Sequence, residues 1–208
     1  MRRRNFLLWF VGSALAACSK QQKLAAFPAG SRVLAFGDSV TYGTGASTGE
    51  DWPTLLSDLT GWRIANGGVP GDTAQASISR MGSLLEEHKP VLVIIEIGGN
   101  DFLRRRSESA VKQDIKTLIG LARSAGAQVV LVGVPSLSLI TVVAGKAADA
   151  PLYGELGKEE NIPVIGDVFS DVLSRPELCA DKIHPNAAGY RRMAADIYSS
   201  LKQFGLTR

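Results

Sequence analysis

Histidine and cysteine each occur only twice in these 208 residues, as His88 and His184 and as Cys18 and Cys179. A reaction that needs an imidazole therefore has two candidates and no more. No cluster of His, Cys and carboxylates has the spacing of a metal site, so neither metal nor cofactor is expected. Internal repeats and low-complexity tracts are missing, which argues against an array of stacked units. No apolar run is long enough for a permanent membrane span. Surplus charge of one sign is also missing once the first residues are set aside. The chain has 23 Lys+Arg against 20 Asp+Glu. Residues 1–17 hold three arginines and no acid, which leaves 20 against 20 and gives no reason to expect a nucleic-acid partner.

What is present starts with an export pattern. Arg2, Arg3 and Arg4 form a positive beginning, and Phe6–Ala17 is an apolar stretch of signal-peptide length. Leu15-Ala16-Ala17-Cys18 looks like a bacterial lipoprotein signal cleaved before the cysteine, and Arg3–Leu7 also resembles a twin-arginine signal. The expectation is a signal peptide over residues 1–17, a lipidated Cys18 and polar tether over residues 18–30, and one domain over residues 31–208. Lipid on Cys18 would make the membrane a partner and place the protein in the cell envelope, on the periplasmic face of a bacterial membrane. It would also leave Cys179 with no partner within the chain. The plainer alternative is an uncleaved apolar helix with Cys18 a bystander.

From Arg32 onward strand and helix patterns alternate. Arg32–Phe36, Arg63–Ala65, Val91–Ile97, Gln128–Val134 and Ile162–Ile165 read as strands, the third and fourth apolar enough to be buried on both faces. Helices are expected from Pro53, over Thr73–Lys89, over Ser107–Ser124, and after Asn186 with a buried stripe of Tyr190, Met193, Ala194, Ile197 and Leu201. The order predicts an α/β fold with a five-stranded parallel sheet and helices on both faces. Pro135–Pro151 is apolar but broken by Gly145, and its structure is left open. In such sheets, sites gather beyond the carboxyl ends of the strands. Ser39, Gly71, Asn100, Asp181 and His184 all map to that one edge.

Those residues have a chemistry in common. Ser39 lies on the turn Gly37-Asp38-Ser39, which exposes a hydroxyl. Asp181 and His184 are three apart, so one turn brings an acid beside an imidazole. His184 is placed to take the Ser39 proton, and Asp181 to hold the ring tautomer. His88, in Glu86-Glu87-His88-Lys89-Pro90, reads instead as a solvated helix-end histidine. Gly98-Gly99-Asn100 lets backbone approach a ligand and offers an uncharged amide donor. Asn66–Asp72 is a second glycine turn able to present a backbone N–H, though either turn taken alone reads as structural. Asp38 reads as turn chemistry, Trp52 as packing beneath the Ser39 loop, and Arg104, Arg105 and Arg106 as a solvated charge run.

Phe36-Gly37-Asp38-Ser39-Val40, Gly71-Asp72-Thr73, Gly98-Gly99-Asn100-Asp101 and Asp181-Lys182-Ile183-His184-Pro185 resemble, in order, the sequence blocks of the SGNH (GDSL-type) hydrolases. The similarity spans roughly residues 31–205 and is closest to bacterial periplasmic thioesterase/lysophospholipase and arylesterase enzymes. Val40 stands where the family name has leucine. The resemblance implies a flavodoxin-like three-layer α/β/α sandwich. It makes Ser39 the nucleophile, His184 its base and Asp181 the orienting acid, with the Ser39 and Gly71 N–H groups and the Asn100 amide as the oxyanion hole. The function expected is a serine ester hydrolase acting on a small acyl-ester or lipid substrate through an acyl-enzyme. An O-acetylesterase for cell-envelope glycan and a non-catalytic envelope lipoprotein are the alternatives.

Overall fold

The computed structural model describes residues 26–136 and 147–208. The export pattern, Cys18 and the apolar stretch from Leu137 to Gly145 lie outside the described residues. Five strands, β1 (Arg32–Gly37), β2 (Arg63–Gly68), β3 (Leu92–Glu96), β4 (Gln128–Val132) and β5 (Val164–Ile165), pair in parallel in the order β2-β1-β3-β4-β5. Every residue of β3 is buried, as its unbroken apolar run requires of a central strand covered on both faces.

The short helix α1 (Ser39–Tyr42) follows β1, and α2 (Trp52–Thr60) follows that. Asp51 caps α2 by accepting from Thr54 N–H at 2.9 Å. Next come α3 (Ala74–His88), α4 (Gly99–Leu103) and α5 (Glu108–Ser124). The C-terminal half adds α6 (Pro151–Glu159), α7 (Val168–Leu173) and α8 (Ala187–Gln203). The helices α2, α7 and α8 pack together on one side, and α3, α5 and α6 on the other, which makes the three layers. Asn186 caps α8 through Ala188 and Gly189 N–H, and the stripe Tyr190, Met193, Ala194, Ile197 and Leu201 is buried as its spacing predicts.

Three boundaries differ from the pattern. β2 runs on through Gly67 and Gly68, which pair with Phe36 and Gly37, because Gly68 lets the backbone of Tyr42 pass where a Cβ would sit 2.2 Å from its nitrogen. β5 shrinks to two residues. The stretch expected to be a polar tether is docked from Phe27 onward. Phe27 N–H donates to the Leu206 carbonyl at 2.8 Å, Trp62 Nε1–H donates to the Phe27 carbonyl at 3.3 Å, and the two rings meet edge to face at 6.1 Å. Gly30 N–H donates to the Gly61 carbonyl, and Arg63 N–H to the Ser31 carbonyl. Residues 27–31 thus line the edge where the parallel strands begin.

Candidate active site

At the opposite edge, β1 ends on Gly37, where a Cβ would lie 2.1 Å from the Glu96 carbonyl oxygen. Only glycine lets the chain turn that close to β3, and the turn delivers Asp38 and Ser39. Asp38 Oδ1 accepts from Val40 N–H at 3.1 Å and caps α1. The imidazole comes from the loop before α8. There Asp181 Oδ1 accepts the N–H groups of Ile183 and His184, both at 2.8 Å, folding four residues into one turn.

The other Asp181 oxygen, Oδ2, lies 2.8 Å from His184 Nδ1, and His184 Nε2 lies 2.9 Å from Ser39 Oγ. A carboxylate at Nδ1 fixes the proton there and leaves Nε2 to accept from the Ser39 hydroxyl. Burial works to raise the Asp181 carboxyl, but the His184 side chain and the two backbone donors outweigh it and hold it below its ordinary value. The arrangement can therefore polarise a hydroxyl with an ionised acid behind the ring.

Asn100 opens the first turn of α4 at the end of β3. Its Nδ2 donates to the Asp72 carbonyl at 2.9 Å and to Asp38 Oδ2 at 3.2 Å, so both amide hydrogens are engaged inside the protein. Gly71, at φ +83°, lies exposed beside this network, tied to α4 by Arg104 Nη2–H donating to its carbonyl at 3.0 Å. Among the described residues the N–H groups of Ser39 and Gly71 have no acceptor. A small cavity of about 20 Å³ is lined by Ser39, Asn100 and His184, with Leu103, Phe169 and Ile183 as its apolar wall. Gly71 is not part of that lining.

Several residues prove more involved than the pattern suggests. Arg106 is half-buried, not solvated: it pairs with buried Asp101 at 2.5 Å and with Asp114 at 2.8 Å. Asp101 Oδ2 in turn accepts from Ala74 N–H at the start of α3. Arg80 Nε–H donates to Asp72 at 2.7 Å, and its Nη groups donate to the Gly67 and Gly37 carbonyls at 2.6 and 2.8 Å. One guanidinium thus ties the carboxyl ends of β1 and β2. Glu96 is fully buried and accepts from Thr41 Oγ1–H at 2.8 Å. Burial, then the neighbouring Asp38 charge, push its carboxyl well up. Asp38 itself is pushed up to about 6, chiefly by burial, against the pull of Val40 N–H and of nearby His184. A lone acid in the apolar run Leu92–Ile97 was the signal for Glu96. Arg80 and Phe169 carried none, since their neighbours are remote in sequence. Trp52 is fully buried and His88 half-buried at the end of α3, 3.9 Å from Glu87.

Residues 35–192 match the family model described as GDSL-like Lipase/Acylhydrolase family. The chain is 29% identical over 197 residues to Esterase TesA of Pseudomonas aeruginosa, covering 90% of this chain and 96% of that protein. It is 30% identical over 164 residues to thioesterase 1/protease 1/lysophospholipase L1 of Escherichia coli strain K12, covering 74% and 75% of the two chains. The crystal structure of TesA superimposes with a TM-score of 0.73 at 29% identity, over 83% of this chain and 98% of that one.

Proposed function

The chain belongs to the GDSL-like lipase/acylhydrolase family and is a carboxylic ester hydrolase, and from that premise we propose that it works through an acyl-enzyme on Ser39. The observation that carries this is the unbroken relay from Ser39 Oγ to His184 Nε2 and from His184 Nδ1 to Asp181, at 2.9 and 2.8 Å. Ser39 Oγ attacks the ester carbonyl carbon as His184 takes the hydroxyl proton. The negative oxygen of the tetrahedral adduct is met by the free N–H groups of Ser39 and Gly71 and by the Asn100 amide. Collapse breaks the bond to the leaving group, which receives the proton from His184. Water, deprotonated by the same imidazole, then attacks the acyl-Ser39 carbonyl, and as the bond to Ser39 Oγ breaks His184 returns the proton to that oxygen and the acid leaves.

The apolar wall of Leu103, Phe169 and Ile183 beside Ser39 supports an acyl group on an ester or thioester. We also propose that the protein sits in the cell envelope, exported by an N-terminal signal and held by lipid on Cys18, a reading supported by Arg2–Arg4, the apolar stretch Phe6–Ala17 and the run Leu15-Ala16-Ala17-Cys18. Ser39→Ala is the test. The variant is expected to lose burst release of para-nitrophenol and labelling by a fluorophosphonate while keeping its circular dichroism spectrum. Unchanged turnover removes Ser39 from the reaction.

A further inference from the structure

We infer that Arg80 is a positioning residue of the oxyanion hole, whose guanidinium sets the spacing between the two backbone donors, Ser39 N–H and Gly71 N–H. The inference rests on the acyl-enzyme reading above and deepens it.

The two donors sit on different loops. Ser39 follows β1, and Gly71 follows β2. The ladder between these strands fixes their pairing as far as Gly37 and Gly68 and no further. Beyond it, Val69 N–H donates to the Gly37 carbonyl at 3.1 Å and Asp72 N–H to the Val69 carbonyl at 3.2 Å. Both bonds lie at the long end of the backbone range. The Gly71 carbonyl is held only by Arg104, through an exposed contact. Backbone bonding alone therefore leaves the distance from Gly71 to Ser39 weakly set.

Arg80 reaches both loops at once from α3, with its side chain 20% exposed. Nη2–H donates to the Gly37 carbonyl at 2.8 Å, just before Ser39, and Nη1–H to the Gly67 carbonyl at 2.6 Å. Nε–H donates to Asp72 Oδ2 at 2.7 Å, directly after Gly71. The Phe36 ring holds the same group from its face, with Cζ 4.2 Å from the ring centroid. The third donor registers on the same unit, because Asn100 Nδ2 donates to the Asp72 carbonyl at 2.9 Å. Three short charge-assisted bonds from one rigid plane act as a gauge between the loops. A lysine ammonium is a point donor on a flexible stem and cannot reproduce that plane. Without the gauge every donor stays present but the loops drift, and a displacement of about 1 Å can cost about 10²-fold in rate.

The test compares the native chain with Arg80→Ala and Arg80→Lys. The probe is an alkyl trifluoromethyl ketone. Ser39 Oγ bonds to its carbonyl carbon, the hydroxyl proton passes to His184, and the carbonyl electron pair becomes an oxyanion in the hole. The matching trifluoromethyl alcohol binds without that adduct. Arg80→Ala is expected to lower kcat/KM on a soluble para-nitrophenyl ester about 10–10²-fold and to weaken the ketone by the same factor, with the alcohol held within about twofold of native. Where Arg80→Ala does not fold, Arg80→Lys carries the same comparison, with a loss of about tenfold expected. A kcat/KM within about threefold of native in the folded variants overturns the inference. So does equal weakening of ketone and alcohol, which marks a loosened fold and not a displaced donor. Unfolding of both variants confines Arg80 to stability and overturns it as well. Turnover that survives Ser39→Ala fails the acyl-enzyme reading, whereas Ser39-dependent turnover that ignores Arg80 fails this inference alone.

Discussion

Asn100 illustrates how one side chain can be committed twice. Its two amide hydrogens lie on Asp72 and Asp38, yet the proposed reaction asks it to meet a third partner. The longer bond, 3.2 Å to Asp38, is the one to yield as negative charge grows on the substrate oxygen. Asn100→Ala is expected to lower kcat about 10²–10³-fold, with KM little changed. Asp38→Asn sets an amide donor against the Asn100 donor, and steady-state kinetics should show a fall in kcat without loss of fold. Retained kcat in that variant would remove Asp38 from any part in positioning Asn100. Ser39, His184 and Asp181 stood out in the sequence because serine on a glycine turn and an Asp-x-x-His pair are local patterns. Glu96 showed only as a lone acid in an apolar run, and Asp38 and Arg80 gave no sign of their remote partners, because what all three do depends on strands that are neighbours only after folding.

The elements were legible in proportion to their length. The 15- and 17-residue helices α3, α5 and α8 repeat their apolar period often enough to be read, and the apolar runs of β3 and β4 admit only a buried strand. α4, with five residues, is too short to carry any period, and contacts with neighbours create it; β5 was legible as the apolar run Ile162–Ile165, of which only two residues pair. The turn between β3 and α4 shows how much such contacts demand. Gly98 sits at φ +128°, and a Cβ there would lie 2.4 Å from Tyr153 Oη, whose hydroxyl donates to the Ile97 carbonyl at 2.6 Å. Gly98→Ala is expected to cost about 1–3 kcal/mol of stability from the backbone alone. Urea unfolding of Gly98→Ala with and without Tyr153→Phe should show only part of the loss recovered, because the smaller ring edge relieves the clash but not the φ angle.

For the molecule as a whole, two carboxyls buried beneath the reactive rim set a pH dependence of unusual sign. Asp38 in the folded protein titrates near 6, above its ordinary 3.8, because burial disfavours its charge. The native state therefore holds a proton that the unfolded chain has released, and stability falls as pH rises from about 4 to about 6. Glu96 acts in the same direction, whereas Asp181, held below its ordinary value, contributes stability that is lost only as pH falls below about 4. Urea midpoints for the native chain should decline across the upper window, and Asp38→Asn should flatten part of that decline. An identical profile in the variant would mean that Asp38 ionises freely. The same rim has a further consequence in time. The hydroxyl and the imidazole that meet at 2.9 Å are 145 positions apart, and the imidazole arrives just ahead of the final helix. If those two groups carry the reaction, a growing polymer can complete all five strands and still be chemically inert. On the proposed mechanism ester cleavage would switch on only when the last segment docks, so the first turnover of a newly made molecule would be a clock for the end of its own folding.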